Sequence, residues 1–85
     1  MSQRFRFAGL SFTAAAMHNI EESGVSAGEV ERDVRAYAAD RESHASLLRR
    51  YSAGADADRM QGWRDFVDAV TVAAIRRATN RYAVP

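Results

Sequence analysis

Residues 49–58, Arg49-Arg50-Tyr51-Ser52-Ala53-Gly54-Ala55-Asp56-Ala57-Asp58, separate two long segments of helical character. Within a few residues they supply a helix stop at Gly54, a tight turn, and fresh N-terminal caps at Asp56 or Asp58. A connection this short makes the helices on either side antiparallel neighbours. The turn therefore predicts an all-α fold: a small bundle of three helices, or four if residues 26–52 divide. It is built on a long antiparallel helical hairpin with a short N-terminal arm.

C-terminal to the turn, the last helix is expected to run to about Arg81 before Pro85 closes the chain. Trp63, Val67, Val70, Ala74 and Ala78 fall on one apolar stripe, and Val72, Ile75, Thr79 and Tyr82 on a second, displaced around the axis. Two apolar faces need two partners. One is the helix preceding the turn, and the other is the first helix or a second subunit.

N-terminal to the turn, Ser26 and Glu29 have the spacing of a capping box. Val30, Val34, Tyr37, Leu48 and Tyr51 then follow four- and three-residue steps, provided Arg41 and His44 fill the seam between them. Asp40 offers an alternative cap for a separate helix, but neither Gly nor Pro enforces a break, so one helix over 26–52 is expected. Arg41 and His44 then form a polar layer in its seam. Ser11 to Ser23, rich in alanine and followed by Gly24, reads as the first helix. Before it, Gln3-Arg4-Phe5-Arg6-Phe7 alternates polar and apolar residues, which suits an extended arm that Gly9 interrupts. Folding about the turn sets Glu29, Glu31 and Asp33 beside Arg76, Arg77 and Arg81, and Arg49 and Arg50 near Asp58 and Asp65.

Composition bounds the size of the core. The chain of 85 residues suits a single helical domain spanning 1–85, and 47% of it is apolar, but seventeen of those residues are alanine and only sixteen are Leu, Ile, Val or Phe. A core of this size contributes only about 3–5 kcal/mol by itself, so association with a second copy or another protein is expected. The net charge of +1 argues against disorder. There is no cysteine, which excludes disulfides, thiolate zinc sites and cysteine nucleophiles. Neither a leader-like apolar run near the N-terminus nor a long apolar segment elsewhere occurs, so a cytoplasmic location without membrane contact is expected. All twelve basic residues are arginine, which together with the alanines fits the codon bias of a GC-rich bacterial or phage genome.

Three constellations bear on chemistry. His18 with Glu21 or Glu22, and Asp40 with His44, have helical spacings at which side chains can converge on a metal. Glu42-Ser43-His44-Ala45-Ser46-Leu47-Leu48 is similar to the E-x-x-H-A-x-x-L segment of ferritin-like proteins over fewer than a dozen residues. It departs from that pattern three positions before His44, where Arg41 stands at a ligand position, so no metal and no other cofactor is assigned. Ser23-Gly24-Val25-Ser26 is similar to the corner of a helix-turn-helix, but Glu29, Glu31 and Asp33 would meet DNA phosphates with repulsion. Arg76, Arg77 and Arg81, with Asn80 and Tyr82 and joined by Arg4 and Arg6 from the arm, compose a basic surface of the type that binds anions or nucleic acid. Arginines at a helix C-terminus also serve its carbonyls, and the near-neutral total charge weighs against a general nucleic-acid binder.

No Gly-x-Ser-x-Gly elbow and no phosphate loop is present, so no catalytic residue is assigned and the chain is not read as an enzyme. The leading expectation is a small helical protein-interaction module that self-associates or docks on a larger protein as an accessory or regulatory subunit. Trp63, Phe66, Val70, Ile75 and Tyr82 are its interface candidates. The alternative is a nucleic-acid or anionic-ligand binder using Arg76, Arg77 and Arg81.

Overall fold

A computed structural model describes the backbone of residues 3–83 and the side chains of residues 3–80. Its first element corrects the all-α expectation. Strand β1 (Arg4–Phe7) pairs antiparallel with β2 (Leu10–Thr13), in the register Arg4↔Thr13, Phe5↔Phe12, Arg6↔Ser11 and Phe7↔Leu10. The alternation seen in 3–7 thus continues in Leu10-Ser11-Phe12-Thr13, and Gly9 makes the turn rather than ending an arm. A two-residue hairpin loop matching strand twist needs positive φ at both positions, and Ala8 and Gly9 adopt 55° and 79°. Residues 11–13, expected at the start of the first helix, are therefore strand.

Helix α1 (Ala14–Ser23) begins one residue after β2, with the Thr13 hydroxyl accepting from the Ala16 amide at 3.2 Å. Helix α2 (Ala27–Ala38) starts at the expected Ser26 cap, whose hydroxyl accepts from the Glu29 amide at 3.1 Å. The long helix over 26–52 does not form, because α2 ends at Ala38 and α3 spans His44–Ser52. Two features make the break without Gly or Pro. Asp40 takes a left-handed φ of 59°, and the Arg41 and Asp40 amides donate to the carbonyls of Ala36 (2.8 Å) and Tyr37 (3.1 Å), a Schellman closure with aspartate in the usual place of glycine. Ser43 then caps α3 reciprocally with Ser46. Arg41 and His44 consequently flank the break as exposed residues instead of forming a polar layer.

Helix α4 (Ala57–Ala83) is the axis of the molecule. Its 27 residues correspond to about 40 Å at the α-helical rise, and α1, α2, α3 and β2 all pack along it. Asp56 caps it through the Arg59 amide at 3.1 Å. The core is one cluster in which Phe12, Val30, Val34, Leu47, Phe66, Val67 and Val70 are buried. Aromatic rings thread it: Phe12 stacks on Phe66 at 5.6 Å, Phe66 meets Trp63 edge-on at 5.5 Å, and Tyr51 lies 4.6 Å from Phe66 and 5.3 Å from Trp63. Such pairs add about 0.5–1.5 kcal/mol each beyond area burial, which compensates for the small number of large aliphatic residues.

Candidate functional site

Two groups of polar residues stand apart from ordinary surface, and the first is built on a buried carboxylate. Asp33, on α2, is 2% exposed. It accepts from the Arg50 guanidinium at 2.5 Å and from the Tyr51 hydroxyl, both on α3. Arg50 also reaches Glu42 at 3.2 Å, and Tyr51 reaches Glu29 at 3.0 Å. Burial opposes the charge on Arg50, but the adjoining Tyr51 and Asp33 groups raise its pKa overall. Burial, and then the bond to Asp33 and the Asp33 charge, push the Tyr51 phenol far above its ordinary range. A phenol held protonated in this way makes a hydrogen-bond donor and not a base. The cluster fastens α3 back onto α2 across the break, so it serves the fold.

These contacts also revise the charge pairing expected from one long helix. Arg50 meets Asp33 and Glu42 instead of Asp58 and Asp65. Asp65 accepts from Thr13 at 2.7 Å and Gln61 at 2.9 Å, and Glu22 pairs with Arg59. Of the spacings considered for metal, His18 and Glu22 form a 3.0 Å pair, while His44 turns from Asp40 to Asp68 at 2.9 Å. Among the described residues, no three His, Cys, Asp or Glu side chains gather as a metal-holding group.

The second group lines a groove of about 810 Å³ between the hairpin and α4. Arg4 and Arg6 come from β1, and Arg76 and Arg77 from α4, some seventy residues later in the chain. The strand pairing accounts for this placement, since Arg4, Arg6, Ser11 and Thr13 share one face of the hairpin while Phe5, Phe7, Leu10 and Phe12 share the other. Arg4 is held by two bonds to Ser11, Nε to the hydroxyl at 2.9 Å and Nη2 to the carbonyl at 2.8 Å. Glu31 lines the same groove as Arg76 and Arg77, but among the described residues the expected ion pair between them is not formed. The sequence joins Arg4 and Arg6 of the arm to Arg76 and Arg77; what it lacks is the two-residue turn that makes the arm a strand pair beside α4.

The interface candidates divide. Trp63, Phe66 and Val70 lie in the intramolecular core at 5%, 0% and 0% exposure and are unavailable to a partner, a correction to the expected surface. They face inward because α1, α3 and β2 all pack against α4, using more of its circumference than one neighbouring helix would. Ile75 is 56% exposed, and Val72, not chosen from the sequence as an anchor, is 46% exposed. The side chains of Tyr82 and Arg81 fall outside the described residues. Beyond Ala74, the last buried residue of α4, no described side chain is buried. No known protein family, curated protein or solved structure matches this chain. No helix among the described residues is long and apolar enough to cross a membrane.

Proposed function

We propose that this chain is a non-enzymatic, cytoplasmic protein-interaction module that acts as an accessory or regulatory subunit through the exposed face of α4 that carries Val72 and Ile75. The observation that carries this reading is the pair Val72 and Ile75, exposed one helical turn apart on either side of Ala74, the last buried residue of α4. A helix extending beyond its packing gains little from propensity alone, and two β-branched residues in solvent are a poor choice for its surface. A second copy of the chain, or a larger protein, would cover them.

The test is site-specific photocrosslinking in cells that make the protein, with benzoylphenylalanine at position 75 and, as a control, at Arg49 on the exposed side of α3. A discrete adduct specific to position 75 is expected, and its mass distinguishes a second copy from another protein. Equal labelling at both positions, or none at 75, would reject the reading.

The convergence of Arg4 and Arg6 with Arg76 and Arg77 favours a second reading, a nucleic-acid or anionic-ligand binder. It stands second because nucleic-acid bases take aromatic platforms and no described residue lining the groove is aromatic.

A further inference from the structure

The four arginines of the groove project from a strand and a helix toward a shared space, and among the described residues none of them is within ion-pair distance of a carboxylate. Two of the neighbouring carboxylates already have partners: Asp65 accepts from Thr13 and Gln61, and Asp68 from His44. Arg4 is oriented by Ser11, which lowers the ordering cost of using it as a donor. Between the charges the lining is aliphatic, with Leu10, Ala69, Val72 and Ala73. A ligand matching this surface carries carboxylates for the arginines and small apolar side chains for the floor. We infer that the groove takes an acidic amphipathic segment of a partner protein.

Single-stranded nucleic acid fits less well, because its bases need aromatic platforms and no described lining residue is aromatic. A second copy presenting the same groove would set arginine against arginine. Pairing β1 with another β1 has the same fault, since the antiparallel register that centres on Phe5 and keeps the phenylalanines on one face sets Arg4 opposite Arg6. Charge complementarity therefore points to an acidic chain of different sequence. This inference rests on the docking reading above and specifies the partner's chemistry.

The test is fluorescence anisotropy with the purified full chain and three labelled probes: an amphipathic peptide of Glu, Leu and Ala, its counterpart with Gln for Glu, and oligo-dT. The acidic peptide is expected to bind saturably at about 0.1 M salt and to weaken steeply as salt rises. The Gln peptide and oligo-dT should bind at least roughly tenfold more weakly, and Arg6→Glu and Arg77→Glu should each weaken the acidic peptide by roughly tenfold. Both arginines are exposed, so unchanged thermal melting of the variants is the check that they fold. Absence of acidic-peptide binding, equal binding of the Gln peptide, or indifference to both substitutions would overturn the inference. Tighter binding of oligo-dT would transfer the groove to nucleic acid. An adduct at position 75 without acidic-peptide binding would overturn the partner's chemistry alone, whereas loss of the adduct would remove the docking reading beneath it.

Discussion

Gly62 lies where α4 passes α1, and a Cβ there would sit 2.4 Å from Asn19 Nδ2 and 2.6 Å from the Ala15 carbonyl oxygen. Asn19 cannot simply swing away, because it is buried and its amide donates to the Arg59 carbonyl at 2.9 Å. The Ala15 oxygen belongs to the backbone and is fixed by α1. Gly62→Ala is therefore expected to destabilise by about 1–3 kcal/mol, despite the better helix propensity of alanine. At roughly 4–8 °C per kcal/mol for a domain of this size, calorimetry would register a clear drop in Tm. An unchanged or raised Tm would show that the spacing of α1 and α4 relaxes freely. In the sequence Gly62 is a glycine within a helical run and nothing more, since a close approach between elements is a property of packing. Ser26, Gly24 and Asp56 were legible at this scale because caps and stops act within a few residues of themselves.

Among elements, the caps and the apolar stripe of α4 were readable, while the break between α2 and α3 and the strand β2 were not. The break rests on Asp40 in a left-handed conformation and on the Asp33, Arg50 and Tyr51 contacts that reward the reversal. In an unbroken helix Asp33 and Arg50 would stand about 25 Å apart, at 1.5 Å of rise per residue. Strand β2 was hidden because its four residues adjoin an alanine-rich helix start, and four residues give little periodicity to read. The α2–α3 fastening carries a pH signature. Tyr51 has a folded-state pKa raised above its unfolded value of about 10, so its stabilisation is complete below that pH and is lost as pH rises toward the folded value. Urea unfolding is expected to show the wild type losing stability above about pH 10, with a limiting extra slope of about 1.4 kcal/mol per pH unit relative to Tyr51→Phe. At neutral pH the variant should be less stable by about 1–3 kcal/mol, because buried Asp33 loses a donor. Tyr37 and Tyr82 are common to both proteins and cancel in the comparison. Parallel profiles would show that Tyr51 titrates as it does in the unfolded chain.

In the molecule as a whole the two faces of one helix differ: the inward face of α4, as far as Ala74, carries the core, and the outward face leaves Val72 and Ile75 exposed. The division gives a prediction that separates surface from core. Val72→Asp combined with Ile75→Asp should leave helicity intact and unfolding free energy within about 0.5 kcal/mol, because both side chains are exposed and no buried contact is lost. Val70→Asp, two positions earlier and 0% exposed, should abolish cooperative folding, since it buries an unpaired carboxylate among Phe66, Val67 and their neighbours. Circular dichroism melts of the two variants measure both expectations. If the double variant unfolds as readily as Val70→Asp, the outward face belongs to the stabilising core and is not free to dock. If it melts like the wild type, and Val72→Asp alone removes the adduct formed by benzoylphenylalanine at position 75, the exposed pair acts in binding and not in folding, which is the separation that a docking module requires.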